Sequence, residues 1–158
     1  MKKIKESLVF GEVAMAESIR RVIEECDDVF ISGITKRHDY EQILEKMIRN
    51  AKVITVNYKG KLVGYASMYA NNFETKEAYV SMFGIKRDYQ GMKFGTFLMD
   101  RCCEVAKESG MKTIRLEVLK ENTKGYCFYE KYGFRKREEN DYSFYMSHEL
   151  CGDLDELE

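Results

Sequence analysis

Residues 79–134 read YVSMFGIKRDYQGMKFGTFLMDRCCEVAKESGMKTIRLEVLKENTKGYCFYEKYGF, and the fold is decided here. Ala78 to Ile85 is an apolar, strand-like run interrupted by Gly84, where a bulge is expected. From Gly95 onward Leu98, Cys102, Val105 and Ala106 mark one helical face. Asp100, Arg101, Glu104, Lys107 and Glu108 mark the other, and Gly110 closes the helix. Ile114, Leu116 and Val118 then alternate with Arg115 and Glu117, which predicts a strand with one buried side. A further helix at about 124–132 is stopped by Gly133. Helix, strand and helix in succession leave room for one parallel strand pair.

Upstream, Met15, Ile19, Val22, Ile23 and Cys26 fall at helical spacing, predicting an amphipathic helix over about 13–26 behind a first strand. Tyr40, Ile43, Leu44, Met47 and Ile48 repeat the pattern, with Asp39 available as N-cap. Lys52 to Tyr58 and Leu62 to Ala70 are rich in β-branched and aromatic residues, and Lys59-Gly60-Lys61 between them signals a hairpin. Residues 71–74 form a second turn. Downstream, Phe134 to Arg137, a polar turn at Glu138 to Asp141, and a run in which Tyr142, Phe144, Met146 and His148 share a face make a closing hairpin. The order predicts a mixed α/β protein with a largely antiparallel sheet.

With 158 residues the chain suits one domain, residues 1–150, with an acidic tail, CGDLDELE, at 151–158. Hydrophobic residues at 44% and charged residues at 34% match an ordinary globular protein. Twenty-six Lys plus Arg against 27 Asp plus Glu leave a net charge of −1, so no basic field gathers nucleic acid. No apolar run approaches the ~20 residues of a membrane helix, and the start MKKIKESLVFGEV carries no export signal. A cytoplasmic protein is the expectation. Cys26, Cys102, Cys103, Cys127 and Cys151 are odd in number, without a C-x-x-C pair or a nearby His partner, which gives neither a disulfide framework nor a metal site.

Ile85 to Thr96 runs from a strand through a loop into the clearest helix. Unpaired N–H groups at a helix start, joined by loop amides turned the same way, cradle phosphate oxygens. By itself a strand–loop–helix unit with one or two glycines is a common connector.

The stretch 79–134 resembles the GNAT family of N-acetyltransferases over its whole length. The family's pyrophosphate loop, Gln/Arg-x-x-Gly-x-Gly/Ala, is matched at Gln90 and Gly95. The later block, Asn-x-x-Ala-x-x-aromatic-Tyr-x-x-x-Gly-Phe, is matched at Asn122, Gly125, Phe128, Tyr129, Gly133 and Phe134. One loop glycine position holds Lys93, where a positive φ would cost roughly 1 kcal/mol and an ammonium could meet a phosphate. The resemblance implies a central, mostly antiparallel twisted sheet of six to seven strands flanked by about four helices, and acetyl-coenzyme A as cosubstrate with no metal. It implies that Gln90, Gly91, Met92, Lys93, Phe94, Gly95 and Thr96 hold the pyrophosphate. Phe83, Gly84 and Ile85 would pair with the pantetheine arm, splaying around Gly84, while Asn122, Phe128 and Tyr129 complete the coenzyme site.

Tyr129 resembles the family's general acid. A leaving thiolate of pKa near ~8.5 can be protonated by a well-placed phenol. Many relatives carry the base, a Glu, on the fourth strand, where this chain has Ser81. Glu117 is therefore the expected catalytic carboxylate, with Glu77 second. His38 lies in a loop that could line the acceptor site, and His148 on an apolar-faced strand reads as structural. Acceptor recognition is implied for 30–40, 69–74 and 142–145. The reaction expected is acetyl transfer to a small-molecule primary amine. A protein N-terminal or lysine acetyltransferase and a non-catalytic acyl-coenzyme A sensor stay open as alternatives, and a homodimer is compatible with the family.

Overall fold

The structure is a computed structural model that describes residues 7–30 and 33–150. Among these described residues seven strands form one sheet in the order β1-β2-β3-β4-β5-β7-β6. The strands are β1 (Leu8–Val13), β2 (Lys52–Tyr58), β3 (Lys61–Tyr69), β4 (Glu77–Ile85), β5 (Thr113–Leu119), β6 (Arg135–Glu139) and β7 (Ser143–Glu149). Among the described residues four α-helices accompany them: α1 (Ala16–Cys26), α2 (Tyr40–Asn50), α3 (Phe94–Glu108) and α4 (Thr123–Tyr132). Every pairing is antiparallel except β4 with β5, the one parallel pair expected.

The β2–β3 hairpin closes through Lys59 and Gly60, both at positive φ (52° and 78°). That is the two-residue turn whose twist matches the flanking strands. α1 and α2 pack on one sheet face, where Ile19, Ile23, Cys26, Leu44 and Met47 meet Val53 and Tyr65. On the opposite face Phe94, Leu98, Met99, Cys102 and Ala106 of α3, with Phe134, meet Ile54, Ala66, Val80, Ile114, Leu116 and Met146. Among the described residues no helix is long and apolar enough to cross a membrane.

Several expectations are corrected in detail. Met15 lies outside α1, as its extended N-cap residue, and is 74% exposed. Asp39 does precede α2, but its carboxylate accepts from the Arg37 guanidinium at 2.8 and 2.9 Å instead of capping the helix. Tyr142 is outside β7 and exposed, because Asn140 Oδ1 accepts from the amides of Tyr142 and Ser143 and holds them in the turn. The tail at 151–158 lies outside the described residues.

The bulge in β4 is at Ser81, not Gly84. Met82 opposes Ser67 and Val80 opposes Met68, which leaves Ser81 as the extra residue, whereas Gly84 pairs regularly with Tyr65. Glycine at 84 has another cause. A Cβ there would stand 2.9 Å from both Phe30 and Val29, so the residue is small to let that loop close on the strand. β4 and β5 stay paired through Val80 and Leu116 and no further. β5 continues along β7 to Leu119, so the sheet forks directly after Leu116.

Candidate coenzyme and acceptor site

The fork opens into a cleft of about 880 Å³, within the range typical of small-molecule sites. Its lining contains Phe83, Gly84, Ile85, Gln90, Gly91, Lys93, Phe94, Gly95, Thr96, Asn122, Phe128 and Tyr129. Twelve of the thirteen residues expected to hold the coenzyme are thus brought to one cleft. Met92 is the exception, since its side chain packs against the core. Glu117 is also absent from the lining.

One end of the cleft is suited to phosphate. The first α3 bond of the i to i−4 kind runs from Phe97 N to Lys93 O at 3.2 Å. The amides of Phe94, Gly95 and Thr96 at the helix start therefore have no intrahelical acceptor, and the first turn carries no acidic side chain to compete for them. Gly91 at φ 84° and Lys93 at φ 65° turn the loop into the helix. Gln90 fixes this geometry from outside. Its Nε2 donates to Ile85 O at 2.8 Å, and its Oε1 accepts from Lys124 Nζ at 2.7 Å. Arg87, Lys93 and Lys124 supply three cationic groups to the lining, against Glu121 as its one carboxylate. Amides, helix dipole and cations at one end fit a pyrophosphate.

The other end is aromatic. Phe83 stacks on Phe128 with centroids 5.8 Å apart, and the Tyr129 ring meets Phe83, Phe128 and Phe134 at 6.0, 5.4 and 5.7 Å. Phe128 sits close over the start of α3, because a Cβ on Gly95 would be 3.4 Å from its ring. Asn122 caps α4 by accepting from Gly125 N at 2.9 Å, which fixes where the helix projects Tyr129. Burial pushes the Tyr129 phenol above its ordinary value, and the Cys102 thiol adds to the shift. It therefore remains protonated across the neutral range. Past the fork, Phe83 to Ile85 keep β3 as neighbour and have no β5 partner, which leaves one edge of β4 open to the cleft.

Of the candidate bases, Glu77 pairs with Arg115 at 3.9 Å. Glu117 is exposed on β5, one residue past the last β4–β5 pair. His38 is exposed in the turn before α2. His148 is engaged by Gly133 O at 3.1 Å and packs on Tyr132 and Phe134, as a structural residue does. It lines a separate groove with Phe97, Asp100, Cys103 and Tyr132.

Sequence reasoning missed Val29, Arg87, Tyr89, Glu121, Thr123 and Lys124, which line the cleft, whereas Phe30, expected within the acceptor segment 30–40, lines it as well. Lys124 had a readable signal. A cation in the first turn of a helix faces the positive end of the dipole, so its placement there calls for an external partner.

The model of the acetyltransferase (GNAT) family matches residues 17–134. A Bacillus subtilis (strain 168) protein described as a candidate ribosomal-protein-bS18 alanine N-acetyltransferase is 28% identical over 119 residues, covering 75% of this chain and 76% of its own. A spermidine N(1)-acetyltransferase of Thermoplasma acidophilum is 25% identical over 122 residues, covering 73% of each. Among solved structures, the PaiA N-acetyltransferase of Thermoplasma acidophilum in complex with coenzyme A superposes with a TM-score of 0.76 at 20% identity, over 90% of this chain and 99% of that one. With its matched motifs, its forked seven-stranded sheet and these relatives, the chain belongs to the acetyltransferase (GNAT) family.

Proposed function

We propose that this enzyme transfers the acetyl group of acetyl-coenzyme A to a primary amine of a small molecule by direct attack, with Tyr129 as general acid. The observation that carries this reading is that Tyr129 shares one cleft with both the phosphate-suited α3 start and the open edge of β4. The pyrophosphate would lie on the amides of Phe94 to Thr96 near Lys93, Lys124 and Arg87. The pantetheine arm would run along Phe83 to Ile85. Relatives named as acting on spermidine and, in the Bacillus subtilis case, on a ribosomal-protein alanine support an amine acceptor.

An alkylammonium acceptor, of ordinary pKa near ~10.4, must first lose a proton. Glu117, standing at the fork, is assigned that proton. The neutral nitrogen then attacks the thioester carbonyl carbon, the C–N bond forms, and the C–S bond breaks with its electron pair going to sulfur. Tyr129 donates its hydroxyl proton to that sulfur, and the surplus proton on nitrogen leaves to solvent. Full transfer from an ordinary phenol to a thiolate of pKa ~8.5 is uphill by about 2 kcal/mol, and burial enlarges the gap. Tyr129 therefore hydrogen-bonds the thiolate as it develops, and reprotonation of the phenolate by water draws the proton transfer to completion.

Thiol release with a panel of primary amines tests the assignment. Tyr129→Phe is expected to lower kcat by about 10²-fold or more, with acetyl-coenzyme A affinity unchanged. Unaltered turnover in that variant would remove Tyr129 from the mechanism.

A further inference from the structure

The sheet face opposite α3 and α4 is covered unevenly. The core under α1 and α2 draws on β2 and β3 and reaches β4 no further than Met82. Beyond it, strand alternation decides what is presented. Ala78, Val80, Leu116, Val118, Phe144 and Met146 belong to the core on the α3 side. Tyr79, Glu117 and Tyr145 therefore project from the other face.

Register brings these three together. Glu117 lies directly opposite Tyr145, and Tyr79 pairs with Arg115, two residues before Glu117 on the same face. The directly opposed Cβ atoms of Glu117 and Tyr145 are about 5 Å apart. Tyr79 and Tyr145 are half-buried. Burial pushes the Tyr79 phenol up, and Glu117 and Tyr145 add to the shift, as expected of close neighbours.

Charge pairing on this face leaves Glu117 apart. The Arg115 guanidinium lies 4.9 Å from the Tyr145 ring centroid and within 3.9 and 3.7 Å of the Glu77 and Glu138 carboxylates. Glu117 forms no salt bridge among the described residues. A carboxylate without a cation, flanked by two electron-rich rings, is the arrangement that selects an ammonium group over a neutral one. It stands at the fork, where an acceptor must approach the coenzyme held in the cleft.

We infer that Glu117, Tyr79 and Tyr145 form the acceptor subsite and take a primary alkylammonium ion, which makes an aliphatic, cationic small amine the substrate class. The inference rests on the acetyltransferase reading above and narrows its acceptor. The two rings exclude bulk at the nitrogen, while Arg115, held by Glu77 and Glu138, braces Tyr145.

Calorimetry separates the subsite from the coenzyme site. The protein is first titrated with coenzyme A, then, saturated with it, with n-butylamine, using n-butanol as the neutral control. The expected result is that butylammonium binds, butanol does not, Glu117→Gln weakens the amine about tenfold or more, and Tyr145→Leu weakens it several-fold. Coenzyme A affinity is the same in all variants. Equal binding of amine and alcohol overturns the inference, as does Glu117→Gln binding the amine like wild type. Binding confined to an alanine-terminated peptide also overturns it and points to a polypeptide acceptor. Coenzyme A failing to bind the wild-type protein overturns the acetyltransferase reading itself, and this inference with it.

Discussion

Lys93 stands where the family's loop has glycine, at φ 65° and ψ 15°, as the residue preceding α3. A side chain in this left-handed region costs about 1–2 kcal/mol. Glycine would remove that cost but gives up about 0.4–1 kcal/mol through its greater freedom in the unfolded chain. Lys93→Gly should therefore stabilise the free protein by about 0.5–1 kcal/mol, raising Tm by about 1–4 °C in a chain of this size. The same change removes an ammonium from the phosphate end of the cleft. A solvated charge pair there is worth about 0.5–1 kcal/mol, so acetyl-coenzyme A should bind about two- to fivefold more weakly. The loss should shrink as salt is raised. Lys93→Ala separates the two effects, since it removes the ammonium and retains the left-handed backbone. Thermal melts and calorimetry on the three proteins check this. A glycine variant no more stable than the alanine variant would refute the strain argument. Wild-type affinity in both variants would refute the phosphate contact.

Two further outcomes follow from the same geometry. Gly84→Ala places a Cβ 2.9 Å from Val29 and Phe30, and should destabilise by about 1–3 kcal/mol in urea unfolding as the loop is pushed from β4. An alanine there without cost would mean the loop is free to move. Burial lifts the Cys26 thiol from 9.0 to about 11, so above pH ~9 the unfolded chain releases a proton that the folded chain keeps. Its contribution is complete below pH 9 and is lost between pH 9 and about 11, with a slope of up to about 1.4 kcal/mol per pH unit. Tyr65 and Tyr129, also raised by burial, extend the fall above pH 10. Cys102 and Cys103, also raised by burial, add to the same fall, so Cys26→Ala should make the decline in unfolding free energy measured from pH 8 to 11 shallower by its share; an unchanged slope would rule out Cys26 as a source.

The helices, the hairpin at Lys59-Gly60 and the single parallel pair were legible because each rests on local periodicity or turn chemistry. That one cleft would gather these residues was legible because Gln90, Gly95, Asn122 and Phe134 stand at fixed spacings. What escaped depended on distant partners. The bulge falls at Ser81 because of how β3 and β4 register, and nothing in a serine announces that. Gly84 drew attention for the wrong reason, since it answers to Phe30, more than fifty residues away in the chain. Asp39 has the chemistry of a cap, but its neighbour Arg37 claims the carboxylate. Val29 enters the cleft from a loop whose composition carries no signal, next to Phe30, which the acceptor segment 30–40 includes.

Acetyl-coenzyme A occupying the cleft with its pyrophosphate at the start of α3 is tested most directly by calorimetric titration of the protein with that ligand. Micromolar binding, about −8 kcal/mol, that weakens in Gln90→Ala is the result expected, since Gln90 ties Ile85 to Lys124 around the loop. Absence of binding at millimolar ligand, or binding indifferent to Gln90, would contradict it.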